Sequence, residues 1–443
     1  MARASRVRHR PVHLNRDHAR PRTAPAPTTA AMEARLAELV QPATYALAEH
    51  YRRLGLRWRV LTLPVMVALV LAMIWRQIPS VSTAAQMLAR EPLLWAPPRR
   101  VSQQALSLRL RTLPAELFAT LVQGLLPTLL ARAAARRRPH PPAVARALGH
   151  FSAVWVVDAT TLEALFRKVG ALRERVETVF GGTLLAVLDL PSKLPVHLWW
   201  DEDAAANEKR FLEQLRAVLP PGVLLVLDAG FYAFPWFDWL TAHGAWFLTR
   251  ARAKMAFEVG QVLAETPTVR DRVIRLGQYR ANRCAHPVRL VEVLVGGAWR
   301  GYLTNVLDPA VLPPADVVDL YGRRWRVEEA FLLVKRLLGL AYLWTGAANG
   351  IQLQLWATWL LYALLVDLSD AVAEELDQPL DRISIELVYR GLYFFAGAHA
   401  RGQATDPVAY LAAQPDLGIV KRRRKCRERQ RPPFDTPPAE PNL

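Results

Sequence analysis

Residues 154–158 and 223–228 are short, almost wholly apolar runs, and each ends in an aspartate, Asp158 and Asp228. Runs of this length, rich in β-branched residues and followed by Ala159-Thr-Thr or Ala229-Gly230, read as buried strands. An aspartate at the end of such a strand places a charge at the rim of a sheet, where it either caps the following turn or holds a cation. Further strands are expected at 183–190, 195–200 and 246–250, with a helical stretch near 204–218. Three strands, then a helix and more strands, predict an α/β fold with mixed strand directions.

A second pattern lies about a hundred residues beyond Asp228. Tyr321, Arg324, Glu328 and Lys335 are spaced as Tyr-x2-Arg-x3-Glu-x6-Lys. On one α-helix these four fall within an arc of about 60°. Val327, Phe331, Val334 and Leu338 occupy the neighbouring sector and supply an apolar face. The stripe therefore presents a carboxylate flanked by two cations and a phenol, which suits an acid that binds metal beside groups that grip phosphates. An ordinary amphipathic helix with i,i+4 pairs on its wet face accounts for the same stripe taken alone. Glu329 is the rival glutamate, but it lies about 100° round the helix from Glu328.

The order Asp158, Asp228, Glu328, with the last inside that spaced helix motif, resembles the DDE transposases of the insertion-sequence-4 type over roughly residues 151–366. The helix motif is fairly specific; each strand motif is weak alone, and Ala159 stands where glycine is commoner. The resemblance implies a ribonuclease-H-like mixed-sheet core with a β-rich insertion before the glutamate. In that fold the strand ending in Asp189 runs antiparallel to the first, so Asp189 belongs to the opposite edge and outside the site.

The residue types agree. Three carboxylates without an imidazole or thiol cluster favour a hard, oxygen-seeking cation, Mg²⁺ or Mn²⁺. Two such ions activate water or a 3′-hydroxyl and stabilise the leaving oxygen in phosphoryl transfer. Asp158 is expected to bridge both ions, with Asp228 and Glu328 on one each; Arg324, Lys335 and Tyr321 are expected on the DNA backbone. Strands at 269–276, 288–295 and 301–306 are expected within the insertion, about 251–310. Trp299 is its candidate for stacking on an unpaired base, with plain packing as the alternative.

The 57 Lys+Arg against 39 Asp+Glu give a net charge of +18, which favours a polyanionic partner, DNA above all. With only Cys284 and Cys426, no disulfide framework is indicated, and a reducing bacterial cytoplasm, at the nucleoid, fits. Residues 1–30 read as a disordered basic tail without the apolar stretch of a secretory signal. Residues 31–135 read as a helical domain. Within it, 80–90 and 102–113 form a candidate helix-turn-helix for binding the element's ends, with Gln103, Ser107 and Arg111 facing DNA; a plain helical packing unit is the alternative. Residues 136–150 read as a basic, proline-broken linker, 151–372 as the catalytic core, and 373–443 as a helical region ending in a basic tail.

Leu337 to Val366 carries no charge, and it is the best argument for a membrane-associated basic protein. Gly346, Gly350, Gln352 and Gln354 interrupt it, and both this stretch and 60–75 are read as buried helices. The reading that accounts for most residues is a DNA transposase that cuts at its element's terminal repeats and joins the 3′-hydroxyls to target DNA, as at least a homodimer during synapsis. A catalytically inactive or domesticated DNA-binding relative is the first alternative, and the membrane-associated protein the second.

Overall fold

The computed structural model describes residues 30–162, 182–203, 206–340 and 343–421. The tail 1–29 and the run 422–443, with most of the basic tail and Cys426, lie outside the described residues. Nine strands form one sheet: β1 (Ala153–Thr161), β2 (Thr183–Asp189), β3 (Pro195–Asp201), β4 (Val223–Leu227), β5 (Trp246–Arg250), β6 (Phe257–Glu265), β7 (Val269–Leu276), β8 (Val288–Val295) and β9 (Ala298–Thr304). Their order is β3-β2-β1-β4-β5-β9-β8-β7-β6. β1, β4 and β5 are parallel; β2 and β3 on one side, and β9 to β6 on the other, are antiparallel. The fold is thus mixed α/β, as the strand pattern predicts.

Among the described residues, fourteen α-helices accompany the sheet. Seven precede it: α1 (Ala30–Ala46), α2 (Ala48–Arg53), α3 (Leu63–Trp75), α4 (Val81–Leu88), α5 (Gln103–Thr112), α6 (Glu116–Ala135) and α7 (Pro142–His150). Within and after it come α8 (Leu212–Val218), α9 (Phe234–Ala242), α10 (Pro314–Gly322), α11 (Trp325–Leu332), α12 (Ala348–Glu375), α13 (Ile385–Ala400) and α14 (Pro407–Ala412).

Strand alternation divides the core in two. Val154 and Val156 of β1, with Leu224 and Val226 of β4, face the layer of α3, α6, α11 and α12. Trp155 and Val157, with Leu225 and Leu227, face α8 and α9. Because side chains alternate along a strand, Asp158 falls on the same face as Val156, toward α11.

The uncharged stretch after the helix motif becomes the centre of the helical layer. α6 and α12 are both long and apolar enough to cross a membrane; an 18-residue window of α12 is 89% buried inside the protein, and that of α6 is 33% buried. It packs against α3, α5, α6, α13 and α14. Every residue of α3 is buried as well, and Pro64 sits in its first turn, where the missing N–H costs nothing. The apolar length of α3 and α12 is thus accounted for by core packing, at about 1.5–3 kcal/mol for each large side chain taken from water. α6 adds a stripe of Leu117, Leu121 and Phe118, spaced to meet one neighbour.

The structure adds three features to the segment boundaries read from the sequence. The helical N-terminal segment shares one continuous core with α12 and with one face of the sheet, so its helices do not form a separate core. The stretch read as a basic linker contains α7, and its arginines are docked: Arg136 bonds Asp367 at 2.6 Å and Asp370 at 3.0 Å, while Arg138 pairs with Asp370. Both aspartates are buried in α12, so these cations neutralise charge inside the protein. β6 carries no strand signature in the sequence; it is an exposed edge strand with Gly260 and two irregularities in its pairing, which hides the period of two.

Candidate active site

β1 and β4 are parallel neighbours, and Val157 pairs with Leu227. The next residue on each is Asp158 and Asp228, so parity and register together bring two carboxylates side by side. Asp158 still lies within β1, opposite Ala186, and its Oδ1 accepts from the N–H of Ala159 at 2.9 Å. Asp228 ends its strand and caps the single 3₁₀ turn Ala229–Phe231, with Oδ2 accepting from Gly230 N at 3.2 Å.

The motif helix closes the site from the other layer, but it is not one uniform helix. α10 ends after Tyr321, and a tight turn joins it to α11, with Arg324 N bonding Tyr321 O and Val327 N bonding Arg324 O. α11 then passes into a π-turn, Leu333–Leu337. Arg324 therefore stands at the joint, while Glu328 lies one turn into α11. Its guanidinium joins all three acids: Nη1 is 2.8 Å from Asp158 Oδ2, and Nη2 is 3.1 Å from Glu328 Oε1 and 3.7 Å from Asp228 Oδ1.

A cavity of about 420 Å³ opens over this group, lined by Asp158, Asp228, Glu328, Arg324 and Lys335, with Phe331 as part of its apolar wall. Lys335, carried by the π-turn, donates to Thr160 Oγ1 at 2.6 Å and to Thr161 O at 2.7 Å, tying the motif to the end of β1. Burial pushes the Asp158 carboxyl up to about 7, against the pull of Arg324, and the charges of Asp228 and Glu328 add to the rise. Burial opposes the Arg324 charge too, yet Asp158 and Asp228 hold its pKa above the usual value. The site concentrates more negative charge than one guanidinium settles comfortably.

Tyr321 is buried beneath this group rather than on the cavity wall, with its ring 5.2 Å from that of Tyr302. Burial lifts its phenol to about 12, so it stays neutral and able to donate. Trp299 is 37% exposed, with the Arg270 guanidinium 4.3 Å from its ring centre. β9 pairs with β5 through Tyr302 and Arg250, so Trp299 lies beyond the sheet edge at which the carboxylates stand. Gln103 and Arg111 are exposed and Ser107 half-buried on α5, whose Leu106 and Leu110 face inward. That helix follows α4 after a long connection and packs on α12.

Neither rival acid enters the cavity. Asp189 sits opposite Trp155 rather than Asp158 and accepts from the Ser192 N–H and hydroxyl. Glu329 pairs with Arg326 at 2.8 Å and with Lys421 at 3.6 Å. Sequence reasoning missed Glu208, in the 3₁₀ turn Glu208–Phe211. Burial raises its carboxyl pKa and the nearby Asp228 charge raises it further. A glutamate after a short polar loop gives no periodic signal that would have pointed to it.

All donors around the cavity's acidic end are carboxylate oxygens, a set suited to Mg²⁺ or Mn²⁺ rather than to a softer metal. Among the described residues, no group of three acids stands ready-formed around a metal position; the Arg324 guanidinium fills the space between them.

Residues 150–364 match the family described as "Transposase DDE domain". A Sinorhizobium fredii (strain NBRC 101917 / NGR234) protein named "Putative transposase y4zB" is 25% identical over 170 residues, 37% of this chain and 47% of that protein. The match thus spans about half of the relative's length. A structure described as the piggyBac transposase synaptic complex with hairpin DNA aligns over 88% of this chain and 83% of its own, with 12% identity and a TM-score of 0.39, a likeness too loose to carry further argument. The carboxylates of the cavity fall in the part of the chain that is similar to a transposase DDE domain. Asp158, Asp228 and Glu328 all lie within the matched residues.

Proposed function

We propose that this protein is a DNA transposase of the insertion-sequence-4 type, which cuts phosphodiester bonds at the terminal repeats of its element and joins the 3′-hydroxyls to target DNA. The single observation that carries the reading is the convergence of Asp158, Asp228 and Glu328 on one guanidinium beneath an open cavity. The strand order β3-β2-β1-β4-β5, antiparallel and then parallel, supports a ribonuclease-H-like core, to which β6–β9 add the insertion.

Asp158, Asp228 and Glu328 would hold two Mg²⁺ or Mn²⁺ ions, which supply activation of the attacking hydroxyl and stabilisation of the leaving oxygen. Arg324 keeps the carboxylates together before loading and is placed to turn to a non-bridging phosphate oxygen afterwards. Lys335 positions β1's end and adds positive charge at the cavity mouth. The buried, neutral Tyr321 orients Arg324. A second cavity of about 390 Å³ next to the Asp228 turn is lined by Lys209, Arg252, Lys254 and Arg280 together with Tyr232 and Phe234. These cations favour continuation of the DNA backbone there. Pairing of two ends implies a homodimer in the synaptic complex, and the +18 charge suits association with DNA in the bacterial cytoplasm.

The test is Mn²⁺- or Mg²⁺-dependent cleavage of a plasmid carrying this gene with its native flanking DNA, by the parent and by Glu328→Ala. Cuts at the element's ends by the parent alone are expected. Binding without cutting in both proteins would move the reading to an inactive, DNA-binding relative.

A further inference from the structure

Glu208 occupies an unusual position for an acidic side chain. It opens the 3₁₀ turn Glu208–Phe211, which Asn207 caps by accepting from Lys209 N at 3.0 Å. Phe211 at the end of that turn is buried in the same cluster as Phe231, so the turn is pinned against the Asp228-capped turn Ala229–Phe231. Its carboxylate then lies directly on Gly230: a Cβ at that glycine would stand 1.8 Å from Glu208 Oε2. Gly230 is also the residue whose N–H holds Asp228.

Two neighbouring acids of the same loop, Asp201 and Asp203, are paired. Arg210 bonds Asp203 at 2.7 Å and Asp201 at 3.4 Å. Glu208, half-buried, has no hydrogen bond or ion pair among the described residues. Lys209 beside it contributes to the wall of the second cavity instead. Its carboxylate is close enough to feel the charge of Asp228 on one side and of Arg324 and Lys209 on the other, and a partly buried carboxylate gains from a further cation beside it.

We propose that Glu208 is a fourth carboxylate of the divalent-cation site, facing it across Gly230, and that residue 230 is glycine because a side chain there would push Glu208 away. This rests on the reading of Asp158, Asp228 and Glu328 as cation-holding residues. The glycine gives the proposal a signature that a surface glutamate would lack. Gly230→Ala should act only through Glu208.

The experiment is a titration of the full-length protein with Mn²⁺ alone, with free Mn²⁺ followed by electron paramagnetic resonance, and with thermal melting to establish folding. Glu208→Gln is expected to weaken Mn²⁺ binding about tenfold, as is Gly230→Ala. In a Glu208→Ala background, Gly230→Ala should add no further loss. If Gly230→Ala weakens binding equally in both backgrounds, it acts through the Asp228 turn and the assignment of Glu208 is overturned. Undiminished affinity in Glu208→Gln, with loss in Asp228→Asn, would remove Glu208 while sparing the three-carboxylate site. No Mn²⁺ binding by the parent would overturn the underlying site itself.

Discussion

Arg324 Nη1 lies 2.8 Å from Asp158 Oδ2, and the same guanidinium reaches Glu328 and Asp228. Residues from two strands and one helix are thus held by a single cation at a site built from acids. Replacing Arg324 by alanine leaves three carboxylates facing one another. Removing one partner of a buried ion pair costs about 3–5 kcal/mol, so Arg324→Ala should melt well below the parent in chelator. Millimolar Mn²⁺ should restore part of the difference. A melting temperature unchanged by the substitution, with and without metal, would contradict this role.

Asp228 serves the turn with one oxygen and the cavity with the other. Asp228→Ala should lower strand cleavage by several kcal/mol of transition-state stabilisation, on the order of 10³-fold. Binding to an end-containing DNA should change by only about threefold, because the carboxylate makes no favourable contact with phosphate. Cleavage assays and gel-shift titrations on the same duplex check both halves.

Asp381 anchors the motif from behind. It pairs with Arg323, with Arg326 Nε at 3.3 Å and with Lys193 Nζ at 3.5 Å. Burial alone would raise its pKa, but Lys193, Arg326 and Arg323 overcome that and lower it to about 2. A carboxylate whose folded pKa is depressed stabilises the fold above its unfolded pKa, and that stability is lost as pH falls through the folded value. Asp381→Asn should therefore cost about 2 kcal/mol near neutral pH. The gap to the parent should close between about pH 4 and pH 2, as seen by denaturant melts across that range.

Inside the antiparallel extension, Arg289 and Asp271 form a fully buried bidentate pair at 2.6 and 2.7 Å, and Arg289 also donates to Leu312 O at 2.7 Å. Arg289→Ala should destabilise the protein by about 3–5 kcal/mol, whereas an apolar pair, Arg289→Met with Asp271→Leu, should recover most of that loss. Equal melting points for the single and double variants would show that the pair is not the cause.

Much of this architecture was legible in the chain because it depends on local periodicity. The apolar runs of β1, β2, β4 and β5 and the strands at 269–276 and 288–295 carry a strand's signature by themselves. The serines before α4 and α5 accept from Thr83 N and Ala105 N, as N-cap residues do. The spacing from Tyr321 to Lys335 marked Arg324, Glu328 and Lys335, which line the cavity, and Tyr321, which is buried away from its wall, although their helix breaks at Arg324 and loosens into a π-turn. What an isolated spacing could not contain was that break, which coincides with Tyr321 packing on Tyr302 and Arg324 reaching across to Asp158 of β1.

By itself, the sequence determined most of the strands and helices, β6 and α7 excepted, and which acids stand at strand ends, because side-chain periodicity is a property of neighbouring residues. Only the tertiary structure decided that Asp158 and Asp228 are adjacent, since that depends on the parallel pairing of β1 with β4. It also decided that α12 is a core helix, because its apolar surface is covered by helices from both ends of the chain. Glu208 belongs to the same class: its position against Gly230 arises from two turns packed together, a relation between distant residues that no local pattern encodes.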